Sequence, residues 1–153
     1  SHINKEDAKY LSQVALVMES GKLLLAKEVN QSDYVGEFRK YFNECESILK
    51  FERELFGVSS YRISAELFKH WGLDDYFIEL LMAMDYNKEE FKKLDIYTKR
   101  DRHILSSIVT AINAKEILTD RSIALASKKI AKLGLRRHTF EQTAKRVRDA
   151  YFN

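Results

Sequence analysis

Proline does not occur anywhere in the 153 residues of this chain. At average usage near 5%, about seven or eight would be expected at this length. Proline removes a backbone donor and breaks helix interiors, yet it is favoured in turns. A chain without it can run long uninterrupted helices joined by short connections, and the fold class this predicts is all-α, a compact multi-helix bundle.

Composition narrows the class further. Hydrophobic residues make up 45% of the chain and aromatic residues 12%, more than a disordered chain carries. The length suits one domain over residues 1–153. Cys45 is the sole cysteine, so no disulfide scaffold can form within the chain, and a lone thiol fits a reducing cytoplasm. Apolar runs such as Ala15-Leu16-Val17-Met18 stop short, here at Glu19, well below the ~18–20 residues that span a bilayer. Lys5, Glu6, Asp7 and Lys9 interrupt the stretch where a signal peptide would need a continuous apolar segment. These features predict a cytoplasmic location and no membrane partner.

The formal charge of +3 hides an asymmetry. Residues 1–120 hold 17 Lys/Arg against 21 Asp/Glu, whereas residues 121–153 hold nine against two. The basic end carries Arg121, Lys128, Lys129, Lys132, Arg136, Arg137, Lys145, Arg146 and Arg148. Such a stripe meets nucleic acid, anionic lipid or an acidic partner, or is simply a solvated helix face on a more acidic body. No arginine–aromatic stacking pattern accompanies it, which disfavours nucleic acid.

Periodicity and capping residues outline the helices. Leu11, Val14, Ala15, Met18, Leu23, Leu25 and Ala26 recur at helical spacing and predict one helix from Lys5 to Val29, weakened at Gly21. Ser32-Asp33 offers a start for the next, with Tyr34, Val35, Phe38, Tyr41, Phe42, Cys45 and Ile48 on one face. The Gly57–Ser60 stretch supplies a turn and an N-cap for a helix bearing Ile63, Leu67 and Trp71, ended by Gly72. Asp74 caps a helix running to about Asp85, and Asn87 with Glu90 forms a capping pair. The polar segment Asp95–Arg102 reads as a loop before a helix through Ile104, Ile108, Ala111, Ile112 and Ile117. Thr119-Asp120 restarts the chain into Ile123–Leu133. Thr139 and Gln142 read as a capping box for a last helix with Phe140, Ala144, Val147 and Tyr151 inward.

Three stretches resemble one bacterial family. Ala15-Leu16-Val17-Met18-Glu19-Ser20-Gly21-Lys22-Leu23 is similar to a small-Leu-Leu-His-Asp-Ile-Gly-Lys-Leu segment of the HDOD domains, relatives of the HD and HD-GYP metal-dependent phosphohydrolases. The run Glu52-Arg53-Glu54-Leu55-Phe56-Gly57-Val58, continuing through Ala65-Glu66-Leu67 to Trp71-Gly72-Leu73, resembles the same family and is the more specific match. Ile108-Val109 with Ile112-Asn113-Ala114 is similar to its late helix. The resemblance implies an HD-domain-like bundle and a role in bacterial signal transduction, where such domains transmit state by binding protein partners.

Departures from the family pattern bear on chemistry. In an HD phosphohydrolase, histidines and aspartates at fixed helical positions cage a divalent metal that activates water. Here the His-Asp pair falls on Met18-Glu19, the late aspartate on Asn113, and the His-His after the Trp-containing helix near Met84-Asp85; the second motif's histidine falls on Ser60. Met18, Glu19, Asp85 and Asn113 therefore mark a degenerate metal site for which no metal or other cofactor is expected. The family pattern also extends well upstream, whereas this chain begins 17 residues before Met18. Either the chain is a truncated form, with Ser1-His2 a cloning remnant, or the N-terminal portion is missing; both predict an apolar face covered by self-association into a homo-oligomer.

Single residues divide between bland and functional readings. His2 is terminal, His70 suits a helix C-terminus, and His103 reads as a surface residue. His138, after Arg136-Arg137 and before a helix start, reads as a solvated cap or an anion site. Lys22 reads as a local partner of Glu19 or Ser20, and Cys45 as a buried inert thiol. The expectation is a non-catalytic regulatory module binding a protein partner through an apolar groove near Met18 and Trp71 or through the basic end. The alternatives are a phosphohydrolase with substitute ligands Glu19, Asp85, His70 and His103, and a nucleic-acid or nucleotide binder using Arg136, Arg137, His138, Lys145 and Arg148.

Overall fold

The computed structural model describes residues 4–152, so the reading of His2 lies outside the described residues. The chain is all-α, and no β-strand ladder occurs among the described residues. It gathers into two compact units, one made of the residues up to Leu11 together with those from Leu94 onward, the other of Ser12–Lys93. Among the described residues no helix is long and apolar enough to cross a membrane.

Helix α1 (Lys5–Val17) contributes to both units, and the Ser12–Lys93 unit continues with α2 (Ser20–Asn30), α3 (Val35–Glu44), α4 (Ile48–Phe56), α5 (Ser60–His70), α6 (Asp75–Asp85) and α7 (Lys88–Lys93). Helix α5 packs between α2 and α6. The buried residues of this unit include Val14 from α1, Met18 between α1 and α2, Leu25 and Val29 from α2, Ala65 and Phe68 from α5, and Phe77, Leu80, Leu81 and Met84 from α6. Phe38 and Phe42 on α3 meet Phe51 on α4 at ring-centroid distances of 5.3 and 6.0 Å. Such tilted and edge-on aromatic contacts hold together two short helices that are otherwise largely exposed.

Three of the expected caps form as read, whereas the start expected at Ser32-Asp33 moves to Tyr34, which caps α3 without a side-chain hydrogen bond. The Ser59 hydroxyl accepts from the Arg62 N–H, Asp74 accepts from Tyr76 and Phe77, and Asn87 and Glu90 cap α7 reciprocally. Two expected continuous helices are instead broken, and a third, expected to run through Ile117, ends at Ala111 with Ile112 extended. The span Lys5–Val29 divides at Met18-Glu19, and the helix expected to reach Ile48 ends at Glu44, with α4 restarting behind Ser47, whose hydroxyl accepts from Lys50. Helical hydrophobic spacing carries across both breaks, so periodicity alone could not reveal them.

The other unit contains α8 (Ile96–Ala111), α9 (Asp120–Lys132) and α10 (Arg137–Tyr151), with α9 packed against both α8 and α10. Its core joins Ala111, Leu118, Ile123, Ala126 and Ala144, flanked by Phe140 and Val147. From Ile96 onward the segment expected as a loop is helical. Asp95 caps it by accepting from Tyr97 and Thr98, while Arg100 pairs with Asp7 and Asp101, so the polarity that suggested a loop is neutralised internally. Helix α10 is capped at Arg136 without a side-chain hydrogen bond, which leaves Thr139 inside the first turn and the expected capping box unformed. Tyr151, expected to face inward, is exposed because the helix outruns the core that α9 offers. Between α8 and α9, Leu118 adopts φ 50° and is buried, with its N–H donating to the Ala111 carbonyl at 2.9 Å.

Candidate functional site

The break at Met18-Glu19 creates the polar centre of the Ser12–Lys93 unit. Ending one helix and starting another strands carbonyls and N–H groups, and α5 supplies their partner. The Ser64 hydroxyl accepts from the Gly21 N–H at 2.8 Å and lies 2.9 Å from the Met18 carbonyl and 3.0 Å from that of Ser60, to either of which it can donate. Only glycine permits this approach, since a Cβ at position 21 would lie 2.0 Å from the Ser60 carbonyl oxygen. Met18 itself is 3% exposed and belongs to the core, which removes it from the apolar groove expected around it; Trp71 does reach solvent, at 62% exposure, with its ring edge-on to Phe68.

Glu19 is engaged on both sides. Lys22 forms an ion pair with one carboxylate oxygen, and the Tyr61 hydroxyl donates to the other at 3.3 Å. Nearby, Glu52 projects from α4 into the interior at 6% exposure, where its Oε2 accepts from both the N–H and the hydroxyl of Ser60 at 2.8 Å. Burial pushes its carboxyl above the ordinary 4.5, and Glu19 adds to this, while the Ser60 hydrogen bonds and Lys22 oppose it. Glu52 was not read as a functional residue from the sequence. Its signal was its place at i+4 from Ile48 and i−4 from Phe56, a carboxylate on an apolar stripe.

A raised carboxyl has a definite linkage. The folded protein holds the Glu52 proton more tightly than the unfolded chain, so the stability contribution is complete below the unfolded value near 4.5 and is lost as pH rises through the higher folded value. Glu52→Gln retains an acceptor for Ser60 without the buried charge. Its urea midpoint is expected to exceed that of the parent at neutral pH, with the difference shrinking toward acid. A difference independent of pH would assign the effect to packing.

Asp85, 8% exposed at the end of α6, is held by Arg53, whose Nε and Nη2 lie 2.9 and 2.7 Å from Oδ1, with Arg62 3.9 Å from Oδ2. Asn113 belongs to the other unit. There its side chain donates to the Val109 carbonyl and accepts from the N–H groups of Lys115 and Glu116, closing the turn after α8. Among the described residues, no three histidine, cysteine, aspartate or glutamate side chains stand where they could jointly hold a metal ion. What the Glu19–Glu52–Asp85 region does chemically is to clamp helix to helix, each carboxylate being answered by a donor of this chain.

The basic end is also partly spent. Arg148 pairs with Asp120 at 2.8 Å and Asp149 at 3.2 Å, and Arg137 with Glu141 at 2.8 Å. These hydrogen bonds hold Asp120 and Glu141 below their ordinary carboxylate values. Arg136, His138 and Lys145 lie exposed along α10. Cys45, expected to be buried, is half-exposed, with its thiol 3.2 Å from the Phe42 carbonyl.

No family model matches this chain, and neither the curated proteins nor the solved structures contain a match to it.

Proposed function

We propose that this chain is a non-catalytic HDOD-type module that works in the bacterial cytoplasm as a regulatory element of signal transduction, binding a protein partner. The observation that carries the reading is what occupies the positions of the hydrolase ligands. Met18 is a core side chain, Glu19 is committed to Lys22 and Tyr61, and Asp85 is committed to Arg53. A thioether in the core cannot replace imidazole at a water-activating metal. Carboxylates bound by ammonium and guanidinium groups would have to abandon those partners to receive one.

The partner-binding face of this reading includes Trp71, an exposed large aromatic of the type that anchors interfaces. Nucleic-acid binding through α10 is the weaker alternative because Arg137 and Arg148 already answer carboxylates of their own unit. Elemental analysis of protein purified without chelator, combined with hydrolysis of p-nitrophenyl phosphate under added manganese, tests the proposal. Substoichiometric metal and no turnover are expected. Stoichiometric transition metal that disappears in both Glu19→Ala and Asp85→Ala, with measurable turnover in the parent, would overturn it in favour of a phosphohydrolase.

A further inference from the structure

Most cations engaged in this protein are answered by an acid of the chain, as in Lys22–Glu19, Arg53–Asp85, Arg100–Asp7 and Arg148–Asp120. The face where α8 meets α9 is different. Lys129 reaches across from α9, its Nζ 3.1 Å from the Ser106 hydroxyl and 2.7 Å from that of Thr110 on α8, and forms no ion pair among the described residues. Arg102 and Lys132 are its charged neighbours, and His103, half-buried one turn before Ser106, feels the same group of cations. Two hydroxyls hold an ammonium in place without neutralising it. Their own roles are unequal: Thr110 donates its hydroxyl hydrogen to the Ser106 carbonyl at 2.8 Å, whereas the Ser106 hydroxyl hydrogen has no acceptor among the described residues.

We propose that the Ser106–Lys129–Lys132 face, with His103 and Arg102 beside it, is a binding site for a phosphate dianion, free or as the terminal group of a small phosphomonoester. The recognition is chemical. Lys129 has a third N–H beyond those used by Ser106 and Thr110, Ser106 offers an O–H, and Lys132 adds an ammonium one helical turn along α9. Charge-assisted bonds of this kind are the strong ones, and a dianion relieves the mutual repulsion that the clustered cations otherwise carry. Partial loss of hydration, with Arg102 and Lys132 close by, pushes the Lys129 ammonium below its ordinary value, and burial with the same cations pushes His103 down. Both shifts are what a face awaiting an anion would display. The site is independent of the signalling role proposed above, since it shares no residue with the Glu19–Asp85 region.

The test is a titration of the full chain with inorganic phosphate, and separately with glycerol 3-phosphate, at constant ionic strength, following backbone amide signals of residues 103–110 and 129–132 by NMR. Saturable shifts confined to these residues, at roughly millimolar ligand, are expected, with Lys129→Gln weakening binding about tenfold and Ser106→Ala about threefold. Lys40→Gln, which removes the same charge from an exposed position on α3, is expected to leave affinity unchanged. Tighter binding of glycerol 3-phosphate than of phosphate would assign a phosphomonoester, and the reverse free phosphate. Non-saturating shifts, or equal weakening by Lys40→Gln and Lys129→Gln, would overturn the site. So would a twelve-residue duplex DNA that binds these residues far more tightly than phosphate with a steep salt dependence, since it would assign a polyanion surface instead.

Discussion

Gly21→Ala is expected to lower the free energy of unfolding by about 3 kcal/mol, the upper end of the cost of overpacking. The added methyl would sit 2.0 Å from the Ser60 carbonyl oxygen and 2.9 Å from both the Ser60 carbonyl carbon and the Ser64 hydroxyl oxygen. The obstacle is backbone, so no rotamer change relieves it, and α2 must move away from α5. That movement would lengthen the hydrogen bond from the Gly21 N–H to Ser64, and a buried N–H left without a partner costs about 1–3 kcal/mol. Gly36→Ala is the matched control. It also lies in a helix, nothing stands within 4 Å of its new methyl, and it is expected to be neutral or to stabilise by up to about 1 kcal/mol. Urea unfolding followed by circular dichroism reads both. A Gly21→Ala variant within about 0.5 kcal/mol of the parent, the range of ordinary surface changes, would show that the two helices do not meet through backbone here.

Leu81→Ala is expected to cost about 3–4 kcal/mol, in the middle of the range for emptying a buried leucine site. Leu80 and Leu81 are adjacent and both have no exposed surface, and Phe77, Ala83, Met84 and Asp85 of the same helix are buried too. A helix covered on most of its circumference has little freedom to shift into a void, so the cavity stays open. Leu24→Ala on α2, at 43% exposure, is expected to change stability by less than about 0.5 kcal/mol. Thermal or urea denaturation distinguishes them; equal costs would mean that α6 collapses onto the space.

The candidate site was legible only in part. The resemblance drew attention to Met18, Glu19, Asp85 and Asn113; the apolar spacing from Leu11 through Val14 to Met18 agrees with Met18 being core, but nothing in the sequence told that Glu19 also meets Tyr61 or that Asp85 takes Arg53 from 32 residues earlier. The local pairing of Lys22 with Glu19, read from their three-residue spacing, does form, with Glu19 at the N-cap of α2. Glu52 with Ser60 was not, because an eight-residue separation spans the Gly57 turn and only the angle between α4 and α5 brings them together. Lys129 appeared in the sequence as one more charge in a basic stretch. Its distinction, hydroxyl neighbours in place of a carboxylate, belongs to the packing of α9 on α8.

Local chemistry determined the all-α class and several helix limits. Absence of proline left every segment able to enter a helix, and Ser59, Asp74, Asn87 and Thr119 capped where a short polar side chain could reach its own next turn. Those interactions close within three residues and need no other part of the chain. The tertiary structure decided what local signals left equal: that Lys5–Val29 breaks at Met18-Glu19, that the polar segment expected as a loop is helical from Ile96 onward, and which charges are neutralised. A helix can end in mid-pattern when a distant hydroxyl satisfies its stranded groups, as Ser64 does. A charged segment can be helical when a distant carboxylate answers it, as Asp7 answers Arg100, and in both cases the deciding partner is far along the chain.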